Sequence, residues 1–441
     1  MEAVIEKALY QAGRISAPNY GDLKKVRWTR SSRTDKGVHS VCTVLSMRML
    51  VDADTFDHSD YSEEVANDIN RFLPDEVRVF CVQRVTKSFT ARHGCRHRTY
   101  HYFLPLKPLL EALKSSKQNV DGRGSEETDA FDTGDFSAEY VVAQLRAFLQ
   151  LYNGSHPFHN YTDRKRYTEK KVLPEHMKNY FRPRHLIDMA KDGDGEPKGG
   201  DDEGVNRGEL ESEDSPASST SPEPAGDRAA GAQDASATLS AAPTAVSEAT
   251  TKTFSKYNPF PRECWWNDDI DDTDRIVQEH YRKIYNCSCS DVIHLQDPDG
   301  SPGSGDLPVI RIEITGGSFM LYQIRYMIGT AVGVVLGDFP STIIPASMSA
   351  PARFNHLPLA PPSTLVLVDA DFHPLRTPRG QEARHLVIDE CGVEMRKKFT
   401  REVLLPSLYP IMNSDEWPVW ISKMVRIGEG GSRIFISNTY E

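Results

Sequence analysis

GSFMLYQIRYMIGTAVGVVLG, residues 317–337, approaches the length of a membrane span, and its reading decides the fold. Gln323 and Arg325 lie within it, with glycines at 329 and 333. A charge at that depth is costly in lipid, so the stretch reads as a helix buried in a soluble protein. Met320, Ile324, Met327, Ile328, Ala331 and Val335 recur at helical spacing and form an apolar face, which predicts a helix over 318–336. Arg325 interrupts that face. A buried Arg rarely persists without an anionic partner. The plain reading is a structural ion pair with some distant carboxylate; the sharper one makes the partner Asp35.

Outward from this helix, strands are predicted near 282–294 and 308–316, then a Pro-rich loop to 362, a strand over 365–368 and a helix near 414–425. Toward the N-terminus, Val4, Ile5, Ala8 and Leu9 mark a helix within 1–13, and 38–50 reads as a strand after a turn at Asp35-Lys36-Gly37. Ser62 caps a helix carrying Val65, Ile69 and Phe72, ended by Pro74. Strands follow at 77–85 and 99–104, a polar loop at 112–135, and a helix over 136–152. Strands alternating with helices, without a Rossmann glycine fingerprint or solenoid repeat, indicate an α+β fold.

The formal net charge is −11, yet residues 191–250 hold 14 Asp/Glu against 4 Lys/Arg, which leaves about −1 for the rest. Bulk charge therefore neither supports nor excludes nucleic-acid binding, because a near-neutral body can gather its bases in one cleft. Residues 190–250, rich in Gly, Ser, Ala, Pro and acids, bury too little apolar surface to offset their ordering entropy and are expected to be disordered. The seven cysteines are odd in number and no signal peptide is visible, which favours a reducing compartment. Cys287-Ser-Cys289 lacks the spacing and the second pair of a zinc site, and reads as two ordinary thiols.

Four stretches carry candidate chemistry. In Arg33-Thr34-Asp35-Lys36-Gly37-Val38-His39, Asp-Lys-Gly taken alone is a turn whose Asp bonds its own backbone. The functional alternative holds Asp35 ionised beside Arg33 and Lys36, as a nucleophile or a base. Residues 89–102 interleave Arg92, Arg96, Arg98 and His93 with Tyr100 and Tyr102, which suits phosphate contact and base stacking as well as it suits an amphipathic strand. Residues 152–166, with His156, His159 and Lys165, read as a rigid loop touching RNA rather than a metal site, since no matching acid or Cys set accompanies the histidines. The fourth stretch is the Arg325 helix itself.

In this order the four stretches resemble the TruA family of pseudouridine synthases. Residues 33–39 are similar to its Arg-Thr-Asp-x-Gly-Val-His loop, residues 98–102 to its Arg-x-Tyr-x-Tyr strand, and residues 319–329 to the helix that supplies an Arg to the site. Ser318-Phe319-Met320 with Gln323-Ile324-Arg325, the loop 154–162 and Leu357-Pro358-Leu359-Ala360-Pro361 point to the eukaryotic branch. Departures are the chain's start at the first helix, where relatives begin with a strand, Tyr322 where this branch often has His, and Pro362-Ser363-Thr364 for a Gly-rich turn. A truncated gene product is one reading of the first departure.

The resemblance implies a two-domain pseudouridine synthase fold, with a mixed, mainly antiparallel sheet flanked by helices around a central basic cleft. Residues 1–110 would form the catalytic half. Residues 136–189 and 251–425 would form the second, with insertions at 111–135 and 190–250 and a tail at 426–441. It implies isomerisation of uridines in tRNA, around the anticodon stem, and in small nuclear RNA. Asp35 would be the catalytic carboxylate, Tyr100 the ring stacked on the base, and Arg325 the partner of Asp35. Arg33, Lys36, His39, Arg92, Arg96, Arg98, His156 and Lys165 would contact RNA. It implies no cofactor, no metal, no membrane and a monomer, in the nucleus, with mitochondrion and cytoplasm also open. An inactive RNA-remodelling relative is countered by the presence of Asp35. A metal-dependent nuclease lacks clustered ligands, and a pure interaction protein leaves the two ordered blocks without a purpose.

Overall fold

The computed structural model describes residues 1–56, 59–121, 136–163, 276–298, 300, 306–349, 354, 357–375, 385–424, 426–427 and 433–434. Residues 190–250 and Lys165 lie outside them. Helices α1 (Glu2–Gln11), α2 (Glu63–Asn70), α3 (Ala91–Gly94), α4 (Leu106–Asp121) and α5 (Ala138–Gln150) accompany strands β1 (Thr29–Arg30), β2 (His39–Ser40), β3 (Leu45–Ser46), β4 (Cys95–Pro105) and β5 (Gly154–Pro157). Beyond them come β6 (Tyr281–Leu295), β7 (Leu307–Gly316), α6 (Gln323–Val335), α7 (Ile343–Ser347), β8 (Leu365–Phe372), α8 (Glu390–Phe399), α9 (Leu405–Met412) and α10 (Glu416–Met424). These elements belong to one compact unit.

The architecture is α+β. A six-stranded mixed sheet has the order β2-β8-β4-β7-β6-β5, so residues from both ends of the sequence build one sheet. β2 runs parallel to β8 and the other neighbours are antiparallel. The two-residue repeat of a strand sends alternate side chains to opposite faces. On one face Tyr100 pairs with Ile314, Tyr102 with Ile312 and Leu104 with Ile310, and all six are buried. Cys287 and Cys289 join this layer, where the Cys289 thiol meets the Val142 carbonyl of α5. The other face is apolar at one end, where Phe103, Val309, Val366 and Val41 pack against Leu404, Leu408, Tyr409 and Met412. Toward the other end it turns polar, with Thr99 bonded to Thr315 at 2.9 Å and Asn286 to Glu313 at 2.9 Å.

α6 is buried at every residue but Tyr326, as expected for a helix apolar on all sides. Each of its buried aliphatic side chains stabilises the fold by about 1.5–3 kcal/mol. Among the described residues no helix is long and apolar enough to cross a membrane. The helix starts at Gln323 rather than 318 because Tyr322 takes φ +64°, a left-handed conformation that cannot continue a helix.

Other differences from the sequence reading have local causes. The strand expected over 38–50 is broken after Ser40, whose hydroxyl accepts from the Cys42 amide at 3.2 Å and meets Thr43 Oγ1 at 2.8 Å, turning the chain. No strand forms over 77–85, where the Asn70 side chain bonds both the amide and the carbonyl of Val79 at 2.8 Å. What remains there is the isolated bridge Tyr61–Gln83. Ser62 does cap α2, accepting from the Val65 amide at 3.3 Å, but Phe72 is exposed and Leu73 takes the core position. The loop expected from 112 is helical to Asp121. The Pro-rich stretch before 362 contains α7, and α8 and α9, joined by a π turn at Thr400–Leu404, fill a region where the sequence showed no clear pattern.

Candidate active site

Asp35 sits at the head of a tight turn, its carbonyl accepting from the Val38 amide at 3.1 Å. Gly37 completes the turn at φ +87°, and a Cβ there would stand 3.3 Å from Pro362 Cγ. Glycine is thus required twice, for its backbone angle and for the close approach. The turn leads into β2, pinned beside β8 by His39 opposite Val366. Arg33 and Lys36 project outward into solvent, whereas the Asp35 side chain is only 18% exposed.

Arg325, on the first turn of α6, faces it. Its Nη1 stands 3.9 Å from Asp35 Oδ2, while its Nε donates to the Ala360 carbonyl at 2.6 Å. The Arg325 carbonyl in turn accepts from the Ala360 amide at 3.1 Å. The guanidinium also lies over the Tyr322 ring, 5.3 Å from its centre. The segment carrying Ala360 is held by two further contacts. Trp420 Nε1 donates to the Leu359 carbonyl at 3.0 Å. α6 approaches so closely that a Cβ on Gly329 would stand only 2.2 Å from the Pro358 carbonyl oxygen.

Tyr100, from the middle of β4, is 7% exposed and packs edge-on against Phe319, ring centres 5.4 Å apart at 87°. Its hydroxyl is bonded to Ser32. Burial, chiefly, pushes this phenol up to about 12; Arg98 and the Ser32 bond pull it down, and the Asp35 charge pushes it further up. Tyr100 therefore stays protonated at neutral pH, within electrostatic reach of Asp35.

Burial also raises the Asp35 carboxyl above the usual aspartate value, and Arg325 opposes that rise. The sequence expectation that Arg33 and Lys36 hold Asp35 ionised is corrected here. Both are exposed, and the cation that acts on the carboxylate is Arg325. The Arg325 guanidinium is itself pulled down by burial and supported by Asp35. His39 is lowered by burial, which favours the neutral ring, with a bond to the Ser363 backbone acting the other way.

Arg98, expected as an RNA contact, is directed inward. Its Nε donates to Ser32 Oγ at 2.8 Å, Nη2 to the Ser31 carbonyl at 2.7 Å and Nη1 to the Gly317 carbonyl at 2.8 Å. It ties the segment before Asp35 and the turn before α6 to one strand. Arg92 is exposed on α3, and Arg96 is exposed but paired with Asp371 at 2.7 Å. His156 lies on β5, at the sheet edge opposite β2, bonded to the Asn153 carbonyl at 2.9 Å, so pairing does not bring it to Asp35. The loop it belongs to reaches toward α6 by another route, through Thr162, whose hydroxyl donates to the Leu321 carbonyl at 2.9 Å. The supporting roles of Ser31, Ser32, Ala360 and Phe319 escaped the sequence. Only Phe319 and residues 357–361 had a signal, as parts of motifs without an assigned contact.

A half-buried carboxylate thus stands beside a buried guanidinium and within electrostatic reach of a buried phenol, and the sequence comparisons can be set beside this arrangement. Residues 271–373 match the family described as tRNA pseudouridine synthase. Among relatives, the chain is 38% identical over 134 residues to tRNA pseudouridine synthase 1 of Candida albicans, covering 29% of this chain and 20% of that protein. It is 32% identical over 209 residues to the Kluyveromyces lactis protein of the same name, covering 42% and 36%. It is 30% identical over 166 residues to the human pseudouridylate synthase 1 homolog, covering 37% and 33%. The resemblance read from the motifs, to TruA-type synthases of the eukaryotic branch, is thus carried by sequence similarity as well. The matched part spans 20% to 36% of the length of these relatives.

Proposed function

We propose that this chain isomerises uridines in tRNA to pseudouridine, with Asp35 as the catalytic carboxylate. The observation that carries the reading is the convergence of Asp35, Arg325 and Tyr100 from three separated segments at one half-buried turn. A structural ion pair would be expected to hydrogen-bond its carboxylate closely. Here Arg325 hydrogen-bonds a backbone carbonyl instead and leaves the carboxylate 3.9 Å away. That arrangement suits a group that must react.

In this reading the target uridine is flipped out of its stack and laid against Tyr100. Asp35 acts as nucleophile or base while the bond from N1 to C1′ of the ribose breaks. The uracil rotates within the pocket, a bond forms from C5 to C1′, and the proton lost from C5 is balanced by one gained at N1. Nothing is oxidised or reduced, so no cofactor is required. Arg325 orients the carboxylate and opposes the rise of its pKa. Exposed Arg33, Lys36 and Arg92, with Lys165, meet phosphates along a basic cleft between two halves of the molecule. Anticodon-stem uridines and small nuclear RNA as targets, a monomeric state and a nuclear location complete the proposal.

The test is incubation of purified protein with unmodified tRNA transcripts, followed by chemical mapping of pseudouridine. Wild-type protein should form it at defined positions, and Asp35→Asn should form none while still binding. Binding by wild-type protein without any isomerisation would favour an RNA-remodelling relative instead.

A further inference from the structure

β6 carries a row of exposed side chains at its start: Tyr281, Lys283 and Tyr285, with Ile284 buried on the opposite side. The β6–β7 register shifts between Ile284 and Asn286, which leaves Tyr285 as the extra residue of a bulge. Such bulges re-aim a side chain and recur beside functional sites. Here the ring is aimed over the turn that precedes α6. The Gly317 amide donates to the Lys283 carbonyl at 3.1 Å, and a Cβ on Gly317 would stand 3.8 Å from the Tyr285 hydroxyl. The same turn gives its Gly317 carbonyl to Arg98 and carries Phe319, which packs on Tyr100. This turn, at the end of the sheet, links Tyr285 on the polar face to the ring proposed to hold the target base on the other.

Tyr285 has company suited to nucleotides. The His97 ring lies 4.4 Å from it, centre to centre, tilted by 59°, and the Lys283 ammonium stands 5.1 Å from its centre. Asp371 neutralises part of this surface by pairing with Arg96 and approaching His97 Nδ1 at 3.5 Å. The Lys283 ammonium lies over the ring, and Tyr285 remains 45% exposed despite its size. An exposed aromatic ring on a rigid strand, flanked by a cation, is the elementary device for holding an unstacked base and its phosphate.

We propose that Tyr285, supported by His97 and Lys283, is a stacking platform for the unpaired nucleotide adjacent to the target uridine. This rests on the synthase reading above. When the target leaves its stack, its neighbour loses a partner face, and Tyr285 supplies a replacement. The platform contributes to affinity and to the flipped state, with little preference for base identity, because every base presents a π face.

The test uses the full chain and an unmodified tRNA transcript. Affinity is measured in an Asp35→Asn background and the single-turnover rate in the active background. Tyr285→Ala should weaken binding by about 5- to 150-fold, the range that follows from losing one stacking ring. Tyr285→Phe should stay within about twofold of its parent, since it keeps the ring. Lys283→Gln should lower the salt slope of binding by about one phosphate contact. Unchanged affinity and rate in Tyr285→Ala would overturn the proposal, as would an equal loss in Tyr285→Phe, which would assign the effect to the hydroxyl. A thermal midpoint matching the parent shows that losses are not unfolding. Absence of pseudouridine in the active background sinks the synthase reading separately, because the binding arm still reports on the platform.

Discussion

Arg325 is bonded to the Ala360 carbonyl at 2.6 Å but stands 3.9 Å from Asp35, so its position is fixed by the backbone of another segment rather than by the carboxylate it faces. The charge beside Asp35 is therefore preorganised, and it persists whatever the carboxylate does during a reaction.

A pH profile follows from this. Burial raises the Asp35 carboxyl and Arg325 lowers it. Removing the guanidinium leaves the raising influence unopposed. If ionised Asp35 is the active form, the rate falls as pH drops through its pKa. The acid limb of the single-turnover rate should then move to higher pH in Arg325→Leu than in wild type. Arg325→Lys keeps a charge but loses the donation to Ala360, and should shift the limb less while lowering the plateau. An unmoved limb in Arg325→Leu would mean that Asp35 does not set it.

The same burial makes Asp35 a cost to the fold. A carboxyl whose folded pKa is raised binds its proton more tightly in the folded state, so ionisation destabilises that state. The penalty is absent below the unfolded aspartate pKa, grows as pH rises to the folded value, and is complete above it. Asp35→Asn should therefore melt higher than wild type at neutral pH, with the gain vanishing in acid. It should also abolish pseudouridine formation. A lower melting temperature at neutral pH would show that the attraction to Arg325 outweighs desolvation.

Arg98 illustrates what a sequence hides. Its place in an Arg-x-Tyr-x-Tyr strand flags it as functional, and its charge suggests phosphate. Two of its three acceptors are backbone carbonyls, of Ser31 and Gly317, which leave no residue signature. That Arg325 stands near Asp35 was legible because both are charged side chains in motifs of a known order; the catalytic roles of Asp35, Tyr100 and Arg325 belong to the proposal above. The core strands β4, β6 and β7 were legible from apolar alternation, and α6 from its buried face. α9 was not, since Pro406 and Pro410 obscure the helical pattern that Leu404, Leu408 and Met412 complete only against the sheet; α8 was not, since half its residues are charged and it buries only Gly392.

Arg98→Met should thus lower turnover more than binding. It removes three hydrogen bonds that hold the residues before Asp35 and the turn before α6 to β4. Misplacing a reacting group by about an ångström costs roughly 10²-fold in rate. If Arg98 were mainly a phosphate contact, affinity and its salt dependence would change and the saturated rate would not. Measuring the dissociation constant at several salt concentrations beside the saturated single-turnover rate separates the two.

Gly329 tests whether the clamp behind Arg325 is as tight as its geometry. A Cβ there would lie 2.2 Å from the Pro358 oxygen and 3.2 Å from Pro358 Cβ. The obstacle is backbone, anchored two residues on by Arg325 at Ala360 and one residue on by Trp420 at Leu359. Alanine is the better helix former, so on propensity alone Gly329→Ala would stabilise α6 by about 1 kcal/mol. Overpacking opposes that gain by about 1–3 kcal/mol, and here the clash is with a carbonyl that cannot rotate away. The expected result is a net loss of stability in denaturant unfolding. Any protein that folds should also turn over more slowly, because residues 358–360 must shift and Arg325 is bonded to them. A stabilised, fully active Gly329→Ala would mean that residues 357–361 yield freely and do not hold Arg325 in place.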